Sequence, residues 1–303
     1  MKLIADRIRV GLALGGGAAR ALAHLGVLRV FEEEGIAVGA IAGTSMGALI
    51  GGMYALHPDA REVRARVLGV LFSKEFLRVK VEYMRALREV KEHSVFRTLV
   101  NYFRRSVFHN VVLNRQSFLP PDRYMRHIAA FVGDRLIEEC LIPFAAVATD
   151  VRSGEEVVIT RGPMRVAVAA SCAIPGILPP VELDGLLLID GGWVDHVPVA
   201  PVAALGADLV VGVEIGAPTE DPEGLLRNGL EMVIRANAIT RAALSRLQLS
   251  RADLVIRPAT DRMDWLDFRQ ADEAIRLGEA AARAALPALR EALARRLVQG
   301  PRR

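Results

Sequence analysis

The 24 residues from 35 to 58 (GIAVGAIAGTSMGALIGGMYALHP) contain no Asp, Glu, Lys or Arg. A run without formal charge is withdrawn from water, either across a bilayer or in the centre of a sheet protein. Glycines at 39, 43, 47 and 51 repeat the small-xxx-small spacing of packed membrane helices. The run nevertheless holds six glycines plus Thr44 and Ser45, and it lacks the dense leucine, isoleucine and phenylalanine content that favours insertion. It divides better into a buried strand at 38–42, a tight turn at 43–47 and a buried helix at 48–56 closed by His57-Pro58.

The flanks continue the alternation. Residues 8–14 (IRVGLAL) form a β-rich run that ends in Gly15-Gly16-Gly17, and AARALAHLGVLRVFEEEG then has helical periodicity with a glycine stop at Gly35. Strand alternating with helix predicts a parallel sheet. From 60 to 131 the pattern is mainly helical, with basic and aromatic residues interleaved in FRTLVNYFRRSVFHNVV from Phe96, which reads as a helical insertion or cap. Strands are expected at 143–151 and 155–160 around the turn Arg152-Ser153-Gly154, then at 186–189 and 209–215. An amphipathic helix at 225–249, a short strand at 253–257 and an alanine-rich helix at 268–298 bent at Pro287 complete the chain. At 303 residues, 52% of them hydrophobic, the chain can bury this as a single α/β domain, 1–303.

Composition narrows the partners. The net charge is +4 and the Lys and Arg are scattered, which leaves no nucleic-acid footprint yet suits an anionic lipid surface. Cys140 and Cys172 cannot make a disulfide framework and stand in no CxxC pattern, which fits a reducing cytoplasm. Asp6, Arg7 and Arg9 interrupt the apolar start, so no signal peptide is expected. The expectation is a cytoplasmic protein in peripheral contact with the inner face of the membrane.

Three short motifs carry chemistry. Gly43-Thr44-Ser45-Met46-Gly47 is a GxSxG pentapeptide between strand-like and helix-like runs, the context of a nucleophile elbow, although an ordinary glycine turn has the same composition. Gly15-Gly16-Gly17 leads into a helix, so its N–H groups can face an oxyanion or a phosphate. The alternative to an enzyme is therefore a non-catalytic phosphate- or nucleotide-binding regulatory protein. A dinucleotide site expects an acidic residue at the end of the second strand, where this chain has Gly43-Thr44-Ser45. Asp190-Gly191-Gly192 follows the apolar run 186–189, which places a carboxylate where α/β folds carry chemistry.

Histidine could extend the site, since Ser45, Asp190 and His196 follow the chain order of an α/β-hydrolase triad. Only six residues separate the last two, and that fold normally draws them from separate loops. His24 lies on the apolar face of the first helix and reads as packed; the others lack metal spacing, so no metal is expected.

Taken in order, GLALGGGAARALAHLGVL, GTSMG and SCAIPGILPPVELDGLLLIDGGWVDHVPV resemble the bacterial patatin-like phospholipases, including the catalytic domain of neuropathy target esterase. The likeness covers about the first 215 residues. It implies a three-layer α/β/α fold with a mainly parallel central sheet and a helical insertion, and no cofactor. It also implies a serine acyl hydrolase acting on fatty-acyl esters of phospholipids or lysophospholipids through a Ser-Asp dyad and an acyl-enzyme. Ser45 matches the nucleophile and Asp190 its base. Gly16-Gly17-Ala18, next to Gly15, matches the oxyanion loop, Arg20 its basic residue, and Gly43, Gly47, Gly191 and Gly192 the motif glycines. The chain departs from the pattern with Ala18 and Ala21 where many relatives have glycine, and with Asp195-His196 where Asn-Pro is frequent.

Overall fold

The computed structural model describes residues 8–76, 117, 119–216 and 229–299. The first half of the chain sets the pattern. It contains β1 (Val10–Leu14), a 3-10 turn (Ala18–Leu22), α1 (Ala23–Glu33), β2 (Val38–Thr44), α2 (Met46–Leu56) and α3 (Ala60–Leu71). After α4 (Pro121–Val132) come β3 (Phe144–Asp150), β4 (Glu156–Ile159), α5 (Met164–Cys172), β5 (Val181–Leu183) and β6 (Leu186–Asp190). The chain continues with α6 (Val199–Ala204), β7 (Leu209–Val213), α7 (Gly229–Leu249), β8 (Leu254–Ile256) and α8 (Ala271–Gln299). Both ends of the expected insertion at 60–131 are helical, as α3 and α4; the basic and aromatic run from Phe96 and the first residues of the expected helix at 225–249 lie outside the described residues. No helix among the described residues is long and apolar enough to cross a membrane.

The uncharged run 35–58 is strand, turn and helix. Val38–Thr44 is buried along almost its whole length, and α2 is covered from Gly47 to Ala55. Strand periodicity sorts the sheet's two faces. Val10, Leu12 and Leu14 of β1 join the larger core with Leu209, Val211 and Val213 of β7. Ala13, Ala42 and Ala145 face a second core with Val199 and Val202 of α6. Small residues on that face let α6 come close: a Cβ at Gly11 would stand 2.8 Å from Val202 Cγ2. Buried faces on both sides make this a three-layer α/β fold.

The sheet has eight strands in the order β5-β6-β3-β2-β1-β7-β8, with β4 paired to β3 off that path. The pairs β1–β2, β1–β7, β2–β3 and β7–β8 are parallel, whereas β3–β4, β3–β6 and β5–β6 are antiparallel. The register along β3 has the largest consequence. Val147 pairs with Thr44 on β2 and Val158 on β4, so those two strands take opposite edges of β3. Ala148 pairs with Val157 on β4 and Asp190 on β6, which puts β6 on the same edge as β2. Running in opposite directions, β2 and β6 end facing each other at Thr44 and Asp190. One short step past β2 lies Ser45.

Several elements differ from expectation. The helix expected from residue 18 begins as a 3-10 turn, because Gly17 (φ +157°) and Ala18 (φ +48°) stand outside the helical region. α5 carries too little amphipathic contrast to be read from sequence, being buried over most of its length, and α6 is only six residues long. Pro287 lies inside α8, which is assigned as one helix.

Candidate active site

Ser45 ends β2 and caps α2 with φ +57° and ψ −126°, a strained conformation for a residue with a side chain. Its N–H donates to Ser171 Oγ at 2.8 Å, and that hydroxyl donates to the Val147 carbonyl at 2.5 Å. Ser171, fully buried on α5, thus ties the elbow to β3. The flanking glycines are required by close approach. A Cβ at Gly47 would stand 2.1 Å from the Leu14 carbonyl, and one at Gly43 would stand 2.5 Å from the Ala48 nitrogen. The positive end of α2 therefore begins directly behind the Ser45 hydroxyl.

Asp190, 7% exposed, closes β6 from the opposite side. Its side chain accepts from the Gly192 N–H at 2.8 Å and lies close enough to Ser45 for that residue to draw its pKa down. Burial raises its pKa, against the opposing pull of Ser45, Gly192 and the Arg241 charge. Gly191 packs on β3, where a Cβ would meet the Val147 carbonyl at 2.3 Å. Cys172 is a buried thiol pushed well up by desolvation, so it stays protonated; neither it nor Cys140 forms a disulfide.

The glycine loop runs beside the serine, since a Cβ at Gly16 would lie 3.3 Å from the Ser45 Cβ. Not all of its expected donors face the site. Gly15 N–H is committed to the Val213 carbonyl (3.1 Å), Gly16 N–H to the His196 carbonyl (3.2 Å) and Arg20 N–H to the Gly17 carbonyl (3.1 Å). Gly17 and Ala18 alone in the loop donate to no backbone carbonyl. Ala18 keeps the loop's shape by adopting φ +48°, in the region usually held by glycine.

Arg20 is neither solvated nor directed at Ser45. It is 8% exposed, its Nη1 donates to the Gly216 carbonyl at 2.7 Å, and Asp261 and Asp264 lie within electrostatic reach. His24 is fully buried; its Nε2 bonds to the Gly15 carbonyl at 2.7 Å, and burial lowers its pKa to about 4. A neutral ring donating from Nε2 anchors the start of the loop.

His196 lies against the loop, apart from Ser45 and Asp190 in hydrogen bonding. Cβ atoms at Gly16 and Gly192 would each stand 3.3 Å from its ring. Burial, with Arg241 nearby, lowers its pKa to about 4, while the Ile215 backbone acts in the opposite sense. No hydrogen bond links it to Ser45 or Asp190 among the described residues. No cluster of His, Cys, Asp and Glu suited to a metal occurs among them either.

Residues 12–203 match the family model described as patatin-like phospholipase, a segment that contains both strand ends and the glycine loop. The chain belongs to the patatin-like phospholipase family. An uncharacterized NTE family protein of Mycobacterium tuberculosis is 34% identical to it over 214 residues, 71% of this chain and 51% of that protein. Lysophospholipase NTE1 of Pyricularia oryzae is 28% identical over 293 residues, and that of Saccharomyces cerevisiae 27% over 293. Both alignments cover 89% of this chain, but only 18% and 16% of the fungal proteins. This patatin-like chain therefore spans about half the length of its mycobacterial relative and under a fifth of the fungal ones.

Sequence reasoning missed Ser171, which stands in the SCAIPG stretch of this patatin-like chain but belongs to no recognised catalytic spacing. It also missed Trp193 and Arg241, whose guanidinium lies 5.6 Å above the Trp193 ring. Their meeting depends on α7, nearly fifty residues on, and no local pattern announces it.

Proposed function

We propose that this chain is a serine acyl hydrolase that cleaves fatty-acyl esters of phospholipids or lysophospholipids through a Ser45–Asp190 dyad. The observation that carries the reading is the strand register along β3, where Thr44 pairs with Val147 and Asp190 with Ala148, so that β2 and β6 end facing each other and bring Ser45 beside the Asp190 carboxylate. Ser45 Oγ attacks the ester carbonyl while its proton passes to Asp190. The N–H groups of Gly17 and Ala18, with the positive end of α2, stabilise the oxyanion. Asp190 then returns the proton to the leaving alcohol, and an acyl group remains on Ser45. Water, activated by the same carboxylate, releases the fatty acid. An aspartate with an ordinary pKa of about 3.9 is a weak base for a hydroxyl. Burial raises Asp190 and so strengthens it for this task.

The substrate assignment is supported by family membership and by the lysophospholipases among the relatives. Peripheral contact with the inner face of a bilayer belongs to the same reading. A serine-directed fluorophosphonate probe should label the wild type, and Ser45→Ala should remove both labelling and hydrolysis of a phospholipid and lysophospholipid panel. Labelling that persists in Ser45→Ala would reject the nucleophile.

A further inference from the structure

A second cavity of about 270 Å³ opens beside the dyad, with His196 as the shared wall. Its apolar side is formed by Ile215, Ala238 and Ala242, and its charged side by residues of α7 and of the strand ends. Two carboxylates line it, one held by hydrogen bonds and the other facing Arg20 electrostatically. Glu214 accepts from Arg257 at 2.6 Å and from Ser245 at 3.3 Å, while Asp261 lies against Gly216 and within reach of Arg20. The remaining charges are Arg241 and Arg246, five residues or about one and a half turns apart on α7, and neither forms an ion pair among the described residues. Arg241 lies over the Trp193 ring, 5.6 Å from its centroid, and its guanidinium N–H groups have no hydrogen-bond acceptor among the described residues. Such a fork of N–H groups is the geometry that clasps a phosphate.

We propose that Arg241, with Arg246 in the same cavity wall, binds the headgroup phosphate of a substrate whose acyl ester lies over Ser45. The inference rests on the acyl-hydrolase reading and adds to it the residue that selects phosphate-bearing esters over neutral ones. The volume suits a headgroup rather than an acyl chain, since sites that enclose whole drug-sized ligands span about 300–1,000 Å³. Both arginines lie on α7, beyond the segment 12–203 that matches the family model.

The test compares hydrolysis of a lysophosphatidylcholine with that of a monoacylglycerol of the same chain, both below micellar concentration. In Arg241→Ala the ratio of the two kcat/KM values should fall about tenfold to a hundredfold, the loss expected for charge-assisted hydrogen bonds. Most of the fall should be in KM, with Arg241→Lys restoring part of it and Arg246→Ala giving a smaller fall. Alanine suits a helix interior, and a circular dichroism melt checks that each variant is folded. An unchanged ratio, including equal losses on both esters, overturns the headgroup site while leaving the acyl hydrolase intact. A wild type inert to both esters and to the fluorophosphonate removes the hydrolase and the headgroup site together. If inorganic phosphate raises the melting temperature of the wild type but not of Arg241→Ala while the ester ratio stays put, the cavity serves a free anion and the proposal fails.

Discussion

The elbow at Ser45 and the crossing of α1 with α8 depend on the same atom being absent, for opposite purposes. At the elbow, Gly43 and Gly47 let a strand reverse into a helix so that one strained side chain is presented to substrate. At the crossing, Gly26 and Gly278 let two helices touch backbone to backbone. A Cβ at Gly26 would stand 2.1 Å from the Ile275 carbonyl, and one at Gly278 would stand 2.0 Å from the Ala23 carbonyl. Ion pairs Arg29–Glu279 (2.9 Å) and Arg290–Glu34 (2.8 Å) flank that contact, but their exposure limits each to less than about 1 kcal/mol. One region holds strain for chemistry and the other relieves sterics for packing. Substitutions in the first should cost activity, and in the second stability.

The largest expected effect is on the chemical step. Ser45→Ala should lower kcat by about 10⁴-fold or more, as removal of a nucleophile does in other serine hydrolases. Asp190→Asn should fall nearly as far, yet it should raise the melting temperature at pH 8, because it removes a carboxylate whose charged form is disfavoured by burial. His196→Ala, melted in parallel to confirm folding, should retain most activity; its inactivity alone would replace the dyad with a triad. The raised Asp190 pKa sets one further sign. The base works only when ionised, so kcat/KM should decline on the acid side through a pKa above the ordinary aspartate value of about 3.9. Decline only below that value would remove Asp190 as the base.

Gly278→Ala tests the other side of the comparison. The added methyl meets the backbone of Ala23 rather than a flexible side chain, so the helices must separate. Overpacking of this kind costs roughly 1–3 kcal/mol, partly offset by alanine's helix propensity of about 1 kcal/mol over glycine. The denaturant midpoint should fall while kcat of the folded fraction stays within about twofold. A matching loss of kcat would show that the crossing positions the site as well as the fold.

The two regions also differ in how far they could be read from the chain. Strand–glycine–helix spacing at Gly15-Gly16-Gly17 and at Ser45, and Asp190 after an apolar run, were legible because turn chemistry is local. The facing of β2 and β6 was not, since it depends on which edge of β3 each strand takes. The spent N–H groups of Gly15 and Gly16 depend on partners about two hundred residues away. Gly26 and Gly278 sit inside helices with no turn nearby, so nothing local marks them as contacts. Arg241 acquires meaning only when α7 is laid beside Trp193.

Asp195→Asn sharpens the contrast within the site, because Asp195 supports the elbow without entering the dyad. Thr44 Oγ1 donates to the Asp195 backbone carbonyl at 2.8 Å, whereas the carboxylate Oδ1 is buried without a partner. Burial, with Glu156 nearby, raises its pKa to about 7. The unfolded chain releases that proton near about 3.9. Between those two values the folded state holds more protons, so stability is greatest below the lower one and is lost as pH rises to the upper. The asparagine variant should flatten this slope and be more stable than the wild type above pH 7 by roughly 1–3 kcal/mol. Urea midpoints from pH 4 to 8 check it, and parallel curves would place the titration elsewhere.

The smallest effect expected is at Ala18, where the loop takes φ +48° with a side chain present. The left-handed region costs a non-glycine residue about 1–2 kcal/mol. Glycine removes that cost but adds back roughly 0.4–1 kcal/mol of unfolded-state entropy. Ala18→Gly should therefore stabilise the fold by about 0.5–1 kcal/mol, the difference between those terms. If the strain serves to aim the Ala18 N–H at the oxyanion, the same substitution should lower kcat while it raises the melting temperature. If both rise together, the alanine is merely tolerated, and the strain that matters for chemistry is confined to Ser45.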